Sequence, residues 1–126
     1  MTAQVLVVED TPANMKLITL LLRKAGHEVL QARNADEAID LARAHRPDLV
    51  LMDIQLPGMD GLAATRILKE DEATRQICVV ALTALAMKGD QQRMIAAGCD
   101  GYIAKPIQYR NFLDEVGRLL AGAALP

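Results

Sequence analysis

Hydrophobic and polar positions along the chain form two patterns that alternate five times. The first is a short apolar run without polar alternation, typical of a parallel strand covered on both faces. The clearest run, residues 49–52, stops at Asp53 and is followed by Pro57, Gly58 and Gly61, which are turn residues. Strands are predicted at Gln4–Val8, 27–32, 49–52, 77–82 and Gly101–Ala104.

The second pattern places apolar residues three and four positions apart, which is the spacing of an amphipathic helix. Pro12 lies in the first turn of the first such segment, and Gly26 marks its end. Helices are predicted after every strand, from residue 12 to Gly26, at Ala35–His45, about 62–69, about 87–97 and Tyr109–Leu120. The residues expected to face the core are Met15, Ile18, Leu21 and Leu22 in the first helix, Ala38, Ile39, Leu41 and Ala42 in the second, and Phe112, Leu113, Val116, Leu119 and Leu120 in the last.

Strand and helix alternate along the whole chain, and right-handed crossovers between them predict an α/β fold, a parallel sheet with helices on both faces. The chain has 126 residues, of which 52% are hydrophobic and 2% aromatic, which is enough for one domain with an aliphatic core. We expect that domain over residues 1–121 and a short tail over residues 122–126.

Composition excludes several classes of function. A formal net charge of -2 without a basic run gives no electrostatic reason to expect binding to nucleic acid or to a membrane surface. The chain shows neither a signal-like segment nor an apolar run long enough to span a bilayer, so we expect a cytoplasmic protein. Cys78 and Cys99 have neither metal-ligand nor CxxC spacing and are interpreted as reduced structural thiols, while His27 and His45 are assigned no chemistry.

Polar side chains stand at the ends of four of the five predicted strands. Glu9 and Asp10 follow the first strand, Asp53 the third, Thr83 the fourth and Lys105 the fifth. The carboxyl ends of parallel strands meet at one edge, where open α/β sheets bind ligands. Each residue alone has an ordinary interpretation, as a turn cap, a helix cap or a solvated cation, but their coincidence at one edge indicates a pocket.

Three carboxylates in one pocket require a counter-charge. Two of them about 5 Å apart repel by about 3 kcal/mol at an effective dielectric constant near 20. Mg²⁺ prefers oxygen ligands and suits a site with one or two carboxylates and a phosphoryl group. We therefore expect Mg²⁺ bound by Asp10 and Asp53, with Glu9 holding a metal-bound water.

Such a pocket is suited to phosphoryl transfer. A carboxylate can act as the nucleophile and form an aspartyl phosphate. Asp53 is the best candidate because it ends the middle strand. Lys105 would then neutralise charge on the phosphoryl oxygens, and the Thr83 hydroxyl would donate to them.

These residues, at these separations, resemble the receiver domain of two-component response regulators, over nearly the whole chain. The motifs that carry the resemblance are Glu9-Asp10, Asp53-x-x-x-Pro57-x-x-x-Gly61, Thr83-Ala84 and Lys105-Pro106. The resemblance implies a flavodoxin-like doubly wound sheet with strand order 2-1-3-4-5. It also implies a cis Lys105–Pro106 peptide bond, which proline permits.

The resemblance further implies a role for each site residue. Asp53 would accept a phosphoryl group from a histidine kinase or a histidine phosphotransfer protein. Glu9, Asp10, Asp53 and the backbone carbonyl of Gln55 would hold Mg²⁺. Thr83 and Lys105 would bind the phosphoryl oxygens.

Tyr102 lies where the family has its switch aromatic, and it also suits a half-buried strand position; the two interpretations are compatible. Phosphorylation adds about -1.5 to -2 charge at the acceptor. Thr83 would move toward that charge and Tyr102 would turn inward, which would remodel the face formed by the fourth helix, fifth strand and fifth helix. On that face, residues 86–88 are either core or a partner's anchor. Gln55 and Leu85 lie at positions that tune hydrolysis in the family.

Three segments, residues 14–17, 52–57 and 84–90, resemble the single-domain cell-cycle regulators of this family. A receiver of another phosphorelay, or a partner of a hybrid histidine kinase, is the alternative. No effector domain follows the last helix, so we expect output through a downstream protein partner, from a monomer or a weak homodimer.

Two other classes are disfavoured. A phosphatase or hydrolase of related fold usually needs a second acid two residues after the nucleophile, where this chain has Gln55. A flavin carrier needs a hydroxyl- and glycine-rich phosphate loop where this chain has Glu9 and Asp10. We therefore expect a phosphoacceptor rather than an enzyme.

Overall fold

The computed structural model describes residues 2–84 and 89–122. It contains β1 (Gln4–Val8), α1 (Pro12–Lys24), β2 (Glu28–Ala32), α2 (Ala35–His45), β3 (Leu49–Asp53), α3 (Gly61–Glu70), β4 (Cys78–Thr83), α4 (Asp90–Ala97), β5 (Gly101–Ala104) and α5 (Tyr109–Leu120). The features assigned to residues 85–88 and most of the expected tail, residues 123–126, lie outside the described residues. The helix α4 begins at Asp90, later than the predicted start near residue 87, because Gly89 is its N-cap with a left-handed φ of 102°.

The five strands form one parallel sheet in the order β2-β1-β3-β4-β5, as predicted. The strand β3 is central and is buried along its whole length. Val8 of β1 pairs with Met52 of β3, and Asp53 pairs with Leu82 of β4. The ends of β1, β3 and β4 therefore lie side by side at one edge.

The strand β3 ends one residue later than predicted, β4 both begins and ends one residue later, and β2 begins one residue later. Asp53 continues the ladder with β4, and the N–H of Ile54 still donates to the carbonyl of Leu82 at 3.2 Å. His27 is withdrawn from β2 because its N–H donates to the carbonyl of Leu22 at the end of α1. Asp53 and Thr83 are thus the last residues of strands, where backbone pairing restricts them.

The core lies in layers on the two faces of the sheet. On one face α1 and α5 pack over β1, β3 and β4, with Phe112 among the largest fully buried side chains. On the other face α2 and α3 pack over the same strands. The core is aliphatic apart from Phe112, as the composition predicts. Leu41, Leu113 and Leu120 were predicted to face inward but are only partly buried, because they lie at the margins of the packed helix faces.

Three further features bear on the expectations from sequence. The Lys105–Pro106 peptide bond is cis, as the resemblance implied. Cys78 and Cys99 are free thiols, and burial raises the pKa of each to about 11. Within the described part of the chain, every helix is too short or too polar to cross a membrane.

Candidate functional site

Three carboxylates meet where β1 and β3 end. Glu9, Asp10 and Asp53 each offer an oxygen, and these oxygens all lie within 4.8 Å of one another. The side chains of Glu9 and Asp53 are 0% and 5% exposed, whereas Asp10 is exposed. We call these three residues the acidic cluster. They converge because β1 and β3 are paired neighbours, so Glu9 and Asp10, which follow β1, lie beside Asp53, which ends β3.

Lys105 supplies a positive charge to the acidic cluster. It follows β5, where its N–H donates to the carbonyl of Thr83 at 2.7 Å. From there its Nζ donates to Glu9 Oε1 at 3.0 Å and to Asp53 Oδ2 at 2.9 Å. Burial lowers the pKa of Lys105, but the hydrogen bonds to Asp53 and Glu9 outweigh burial and raise that pKa above its ordinary value, so the ammonium is charged at neutral pH.

Glu9 lies in an environment that disfavours its charge. Burial raises the pKa of Glu9, and the neighbouring Asp53 carboxylate raises it further, despite the opposing effect of Lys105. Among the described residues, Glu9 Oε2 is a buried side-chain oxygen without a hydrogen-bond partner. A buried acceptor without a donor costs about 1–3 kcal/mol. The site therefore has negative charge that a cation could balance. It also has a hydrogen-bond acceptor that a cation-bound water could donate to.

The donor set of the acidic cluster fits a hard divalent cation. All of its ligand atoms are carboxylate oxygens, which Mg²⁺ prefers over nitrogen or sulfur. Gln55 is next to the cluster, since its backbone N–H donates to Asp53 Oδ1 at 2.9 Å. The contribution of its carbonyl group stays a prediction.

Thr83 and Tyr102 occupy two different places. Thr83 is the last residue of β4, is buried, and stands opposite Ala104 of β5, so it belongs to the same sheet edge as the acidic cluster. Tyr102 is half-buried in β5, as predicted, and packs with Ile54 against a small cluster, Leu62, Ala81, Met94, Ala97 and Cys99. Tyr102 therefore lies between the site and α4 rather than in the site itself.

Gly61, which the sequence pattern indicates only as a turn residue, has a positional role in the structure. A Cβ atom at Gly61 would collide with the backbone carbonyl oxygen of Asp53 and lie 2.7 Å from the Cα of Ile54. The N–H of Gly61 also donates to the carbonyl of Ile54 at 3.2 Å. The start of α3 thus packs directly on the backbone that carries Asp53. The only signal in the sequence was the place of this glycine in the motif after Asp53.

Two features together define the class of protein. They are the strand order β2-β1-β3-β4-β5 and the sheet edge at which Lys105 contacts the acidic cluster. The family model described as the response regulator receiver domain matches residues 5–117. The chain belongs to this family, which confirms the resemblance and its function as a response regulator in a phosphorelay.

Particular relatives cover the chain almost completely. It is 49% identical over 123 residues to the polar-differentiation response regulator DivK of Brucella anthropi, and equally to that of Brucella ovis, which is 98% of this chain and 100% of each relative. The match agrees with the predicted similarity to cell-cycle regulators.

Solved structures confirm the fold. The receiver domain of sensor histidine kinase PA1611 from Pseudomonas aeruginosa, described with a magnesium ion coordinated in its active site cleft, superposes with a TM-score of 0.86 at 34% identity, over 98% of this chain and 100% of that one. The chemotaxis response regulator CheY4 of Vibrio cholerae gives a TM-score of 0.89 at 25% identity, over 94% of this chain and 99% of that one.

Proposed function

We propose that Asp53 is the phosphoacceptor of this response regulator and that its donor is a phosphohistidine on a histidine kinase or a histidine phosphotransfer protein. The observation that carries the proposal is the Lys105 ammonium, which bridges Asp53 and Glu9 at 2.9 and 3.0 Å beside the third carboxylate of the cluster. An oxygen of Asp53 attacks the phosphorus atom. The O–P bond forms as the N–P bond breaks, and the histidine nitrogen keeps the electron pair.

The other residues of the site would bind the phosphoryl oxygens and hold the Asp53 carboxylate in place. Lys105 is held by two carboxylates and can transfer its hydrogen bonds to the incoming phosphoryl oxygens. Thr83 ends the neighbouring strand and would donate its hydroxyl to the same group. The N–H of Gln55 restrains the other oxygen of Asp53. Together these contacts orient the carboxylate for in-line attack.

Mg²⁺ would be held by Glu9, Asp10, Asp53 and the carbonyl group of Gln55, with Glu9 acting through a bound water. When bound, the cation neutralises negative charge that Lys105 alone does not balance. The donor chemistry of the acidic cluster and the Pseudomonas relative with magnesium in its cleft support this assignment.

The chain would serve as a signalling acceptor rather than an enzyme that turns over external substrates, since Gln55 replaces the second acid that related hydrolases use. Its output would pass through the face made by α4, β5 and α5, which we call the signalling face, to a downstream protein in the cytoplasm. Thr83 and Tyr102 would be its switch. We propose a monomer or a weak homodimer as the acting form.

A role like that of DivK, in cell polarity or the cell cycle, is favoured over a receiver of another phosphorelay or a partner of a hybrid histidine kinase. Identity to the DivK relatives is 49% over their entire length. Receiver domains of histidine kinases from Pseudomonas aeruginosa and Syntrophus aciditrophicus are 34% and 35% identical.

The test is intact mass after incubation with Mg²⁺ and acetyl phosphate. We expect the wild type to gain one phosphoryl group and Asp53→Asn to gain none, because an amide is a much weaker nucleophile than a carboxylate. Asp60→Asn is the matched control, since Asp60 caps α3 and asparagine caps equally well. Equal labelling of Asp53→Asn and wild type would place the acceptor elsewhere.

A further inference from the structure

Lys69 lies in the last turn of α3, and its ammonium group has three hydrogen-bond acceptors. Its Nζ donates to Asp100 Oδ2 at 2.7 Å, to the carbonyl of Ile77 at 2.7 Å and to the carbonyl of Arg75 at 3.2 Å. An ammonium has three N–H donors, so every donor is used. The side chain is 19% exposed, and lysine is rarely so covered unless it is paired. Lys69 therefore attaches α3 to the loop before β4 and to the residue before β5.

Asp100, which accepts from Lys69, also bonds to β4. Its Oδ2 also accepts from the N–H of Val79 at 2.9 Å, and its own N–H donates to the carbonyl of Val79 at 2.7 Å. These two bonds extend the contact between β4 and β5 to the residue before Gly101. The Lys69–Asp100 pair thus joins three elements, α3, β4 and β5, at one point.

The stem of Lys69 also packs on the end of α4. That helix ends at Gly98, whose φ of 100° is left-handed, and a Cβ atom there would lie 2.8 Å from Cγ of Lys69. The N–H groups of Gly98 and Cys99 donate to the carbonyls of Ile95 and Met94, which closes the helix. The carboxyl end of α4 and the start of β5 are therefore held to α3 around one side chain.

We infer that the Lys69–Asp100 pair is a fixed attachment point of the signalling face and that Lys69 is a positioning residue for the response of Tyr102 to phosphorylation. The inference rests on the proposed function, because that response exists only if Asp53 accepts a phosphoryl group. Tyr102 lies two residues after Asp100 and packs against the cluster that contains Met94. A small rearrangement near Asp53 changes the packing of Tyr102 when the ends of α4 and β5 are fixed. When the ends of α4 and β5 are not fixed, they move with the rearrangement and the packing of Tyr102 stays the same. The reason is that only well-packed elements convert small shifts into discrete changes.

The tyrosine content of the chain allows a direct measurement. It has no tryptophan and two tyrosines, of which Tyr109 is 56% exposed. Tyr109→Phe leaves Tyr102 as the only tyrosine with little disturbance of the core. In that parent protein we would measure acrylamide quenching of Tyr102 fluorescence before and after treatment with Mg²⁺ and acetyl phosphate, with intact mass confirming the label.

The test variant is Lys69→Met, which removes the ammonium group and keeps an unbranched stem against Gly98. Arg43→Met is the matched control, since Arg43 pairs with Asp71 at 2.9 Å and joins α2 to the residue after α3. We expect phosphorylation to change the quenching of Tyr102 in the parent and in Arg43→Met. The change should be lost in Lys69→Met while labelling of Asp53 is retained. Amide exchange at Val79 should rise about tenfold, because Asp100, which accepts from the Val79 N–H, loses the charge-assisted bond to Lys69 that holds it in place.

An undiminished Tyr102 response in fully labelled Lys69→Met would overturn the inference and leave the proposed acceptor intact. A parent that gains no phosphoryl group would count against the proposed function instead. A labelled parent without any Tyr102 response would overturn both the switch and the inference. If Lys69→Met fails to fold, Asp100→Asn keeps an acceptor for Val79 and removes the charge, and a reduced response there is the expected result; a full response would refute the attachment point.

Discussion

Lys105 carries the one positive charge that contacts two carboxylates of the acidic cluster among the described residues. Its Nζ donates to Asp53 Oδ2 at 2.9 Å and so offsets part of the negative charge that the three carboxylates bring together. Burial and the neighbouring Asp53 nevertheless raise the pKa of Glu9, and among the described residues its Oε2 has no hydrogen-bond partner. A single ammonium therefore balances only part of the negative charge of the acidic cluster, which is compatible with a bound cation.

His27 provides a prediction at the same scale, away from the site. Its Nδ1 accepts from the N–H of Ala3 at 3.1 Å, so this nitrogen is unprotonated in the fold. Burial lowers the pKa of His27 below its ordinary value of 6.5. A histidine with a lowered pKa contributes stability that is present above pH 6.5 and is lost as the pH falls toward its folded pKa.

We therefore expect the free energy of unfolding of the wild type to fall between pH 7.5 and pH 5.5 by more than that of His27→Asn. Asparagine offers an oxygen acceptor at a similar place and does not titrate. Urea unfolding of both proteins across this range measures the difference, and the other titrating groups cancel between them. Parallel pH profiles would show that the imidazole does not titrate with folding.

At the scale of elements, the ends of helices determine how the site is built. The N-terminus of α3 is capped by Asp60, whose Oδ1 accepts from the N–H of Ala63 at 2.8 Å. Its first residue, Gly61, touches the backbone of Asp53 and Ile54. The start of α3 therefore packs against the backbone at the end of β3, and the space between them is too small for a side chain.

Gly61→Ala is expected to destabilise the protein by about 1–3 kcal/mol, the usual range for overpacking, because the atoms that a Cβ would meet are backbone. Labelling of Asp53 by acetyl phosphate should fall with it, since the carboxylate must shift. Gly117→Ala is the matched control in α5, where a Cβ meets nothing within 4 Å and alanine should stabilise the helix by up to about 1 kcal/mol. Urea unfolding and intact mass give both readouts, and a neutral effect of Gly61→Ala would contradict the close contact.

At the scale of the whole molecule, one sheet edge gathers groups that are distant in sequence. Glu9 and Lys105 are separated by 96 residues and bond across the ends of the strands between them. The sheet buries the chain's apolar residues on both faces, and this packing holds the carboxylates together against their repulsion. Any ligand that relieves the repulsion must therefore stabilise the entire fold.

Mg²⁺ should accordingly raise the melting temperature of the wild type. At a concentration about a hundred times its Kd, the stabilisation is about 2.7 kcal/mol. Asp10→Asn should reduce the effect strongly, and it should fold because Asp10 is exposed. Asp114→Asn, an equal charge change on the exposed face of α5, should keep the full effect. Thermal unfolding with and without MgCl₂ measures this, and an unchanged melting temperature in the wild type would argue against the metal site.

Much of the fold was determined by local pattern. The apolar run that ends at Asp53 predicts a strand buried on both faces, because it has no polar side that could face water. The alternation of strands and helices then leaves few arrangements, and the end of each strand could be located to within a residue. For this reason the sequence alone places one group of polar residues at the same sheet edge: Glu9, Asp10, Asp53, Thr83 and Lys105.

Only the tertiary structure decided which of these groups touch. Three features depend on distances between separate elements: the bonds of Lys105 to Glu9 and Asp53, the lack of a partner for one Glu9 oxygen in the described part of the chain, and the lack of room for a Cβ at Gly61. The Lys69–Asp100 pair, 31 residues apart in sequence, left no signal at all, since two charged residues in polar segments resemble any solvated surface. Local sequence encodes the direction and burial of each element, whereas contacts between side chains arise when elements pack, and their geometry is a property of the assembled fold.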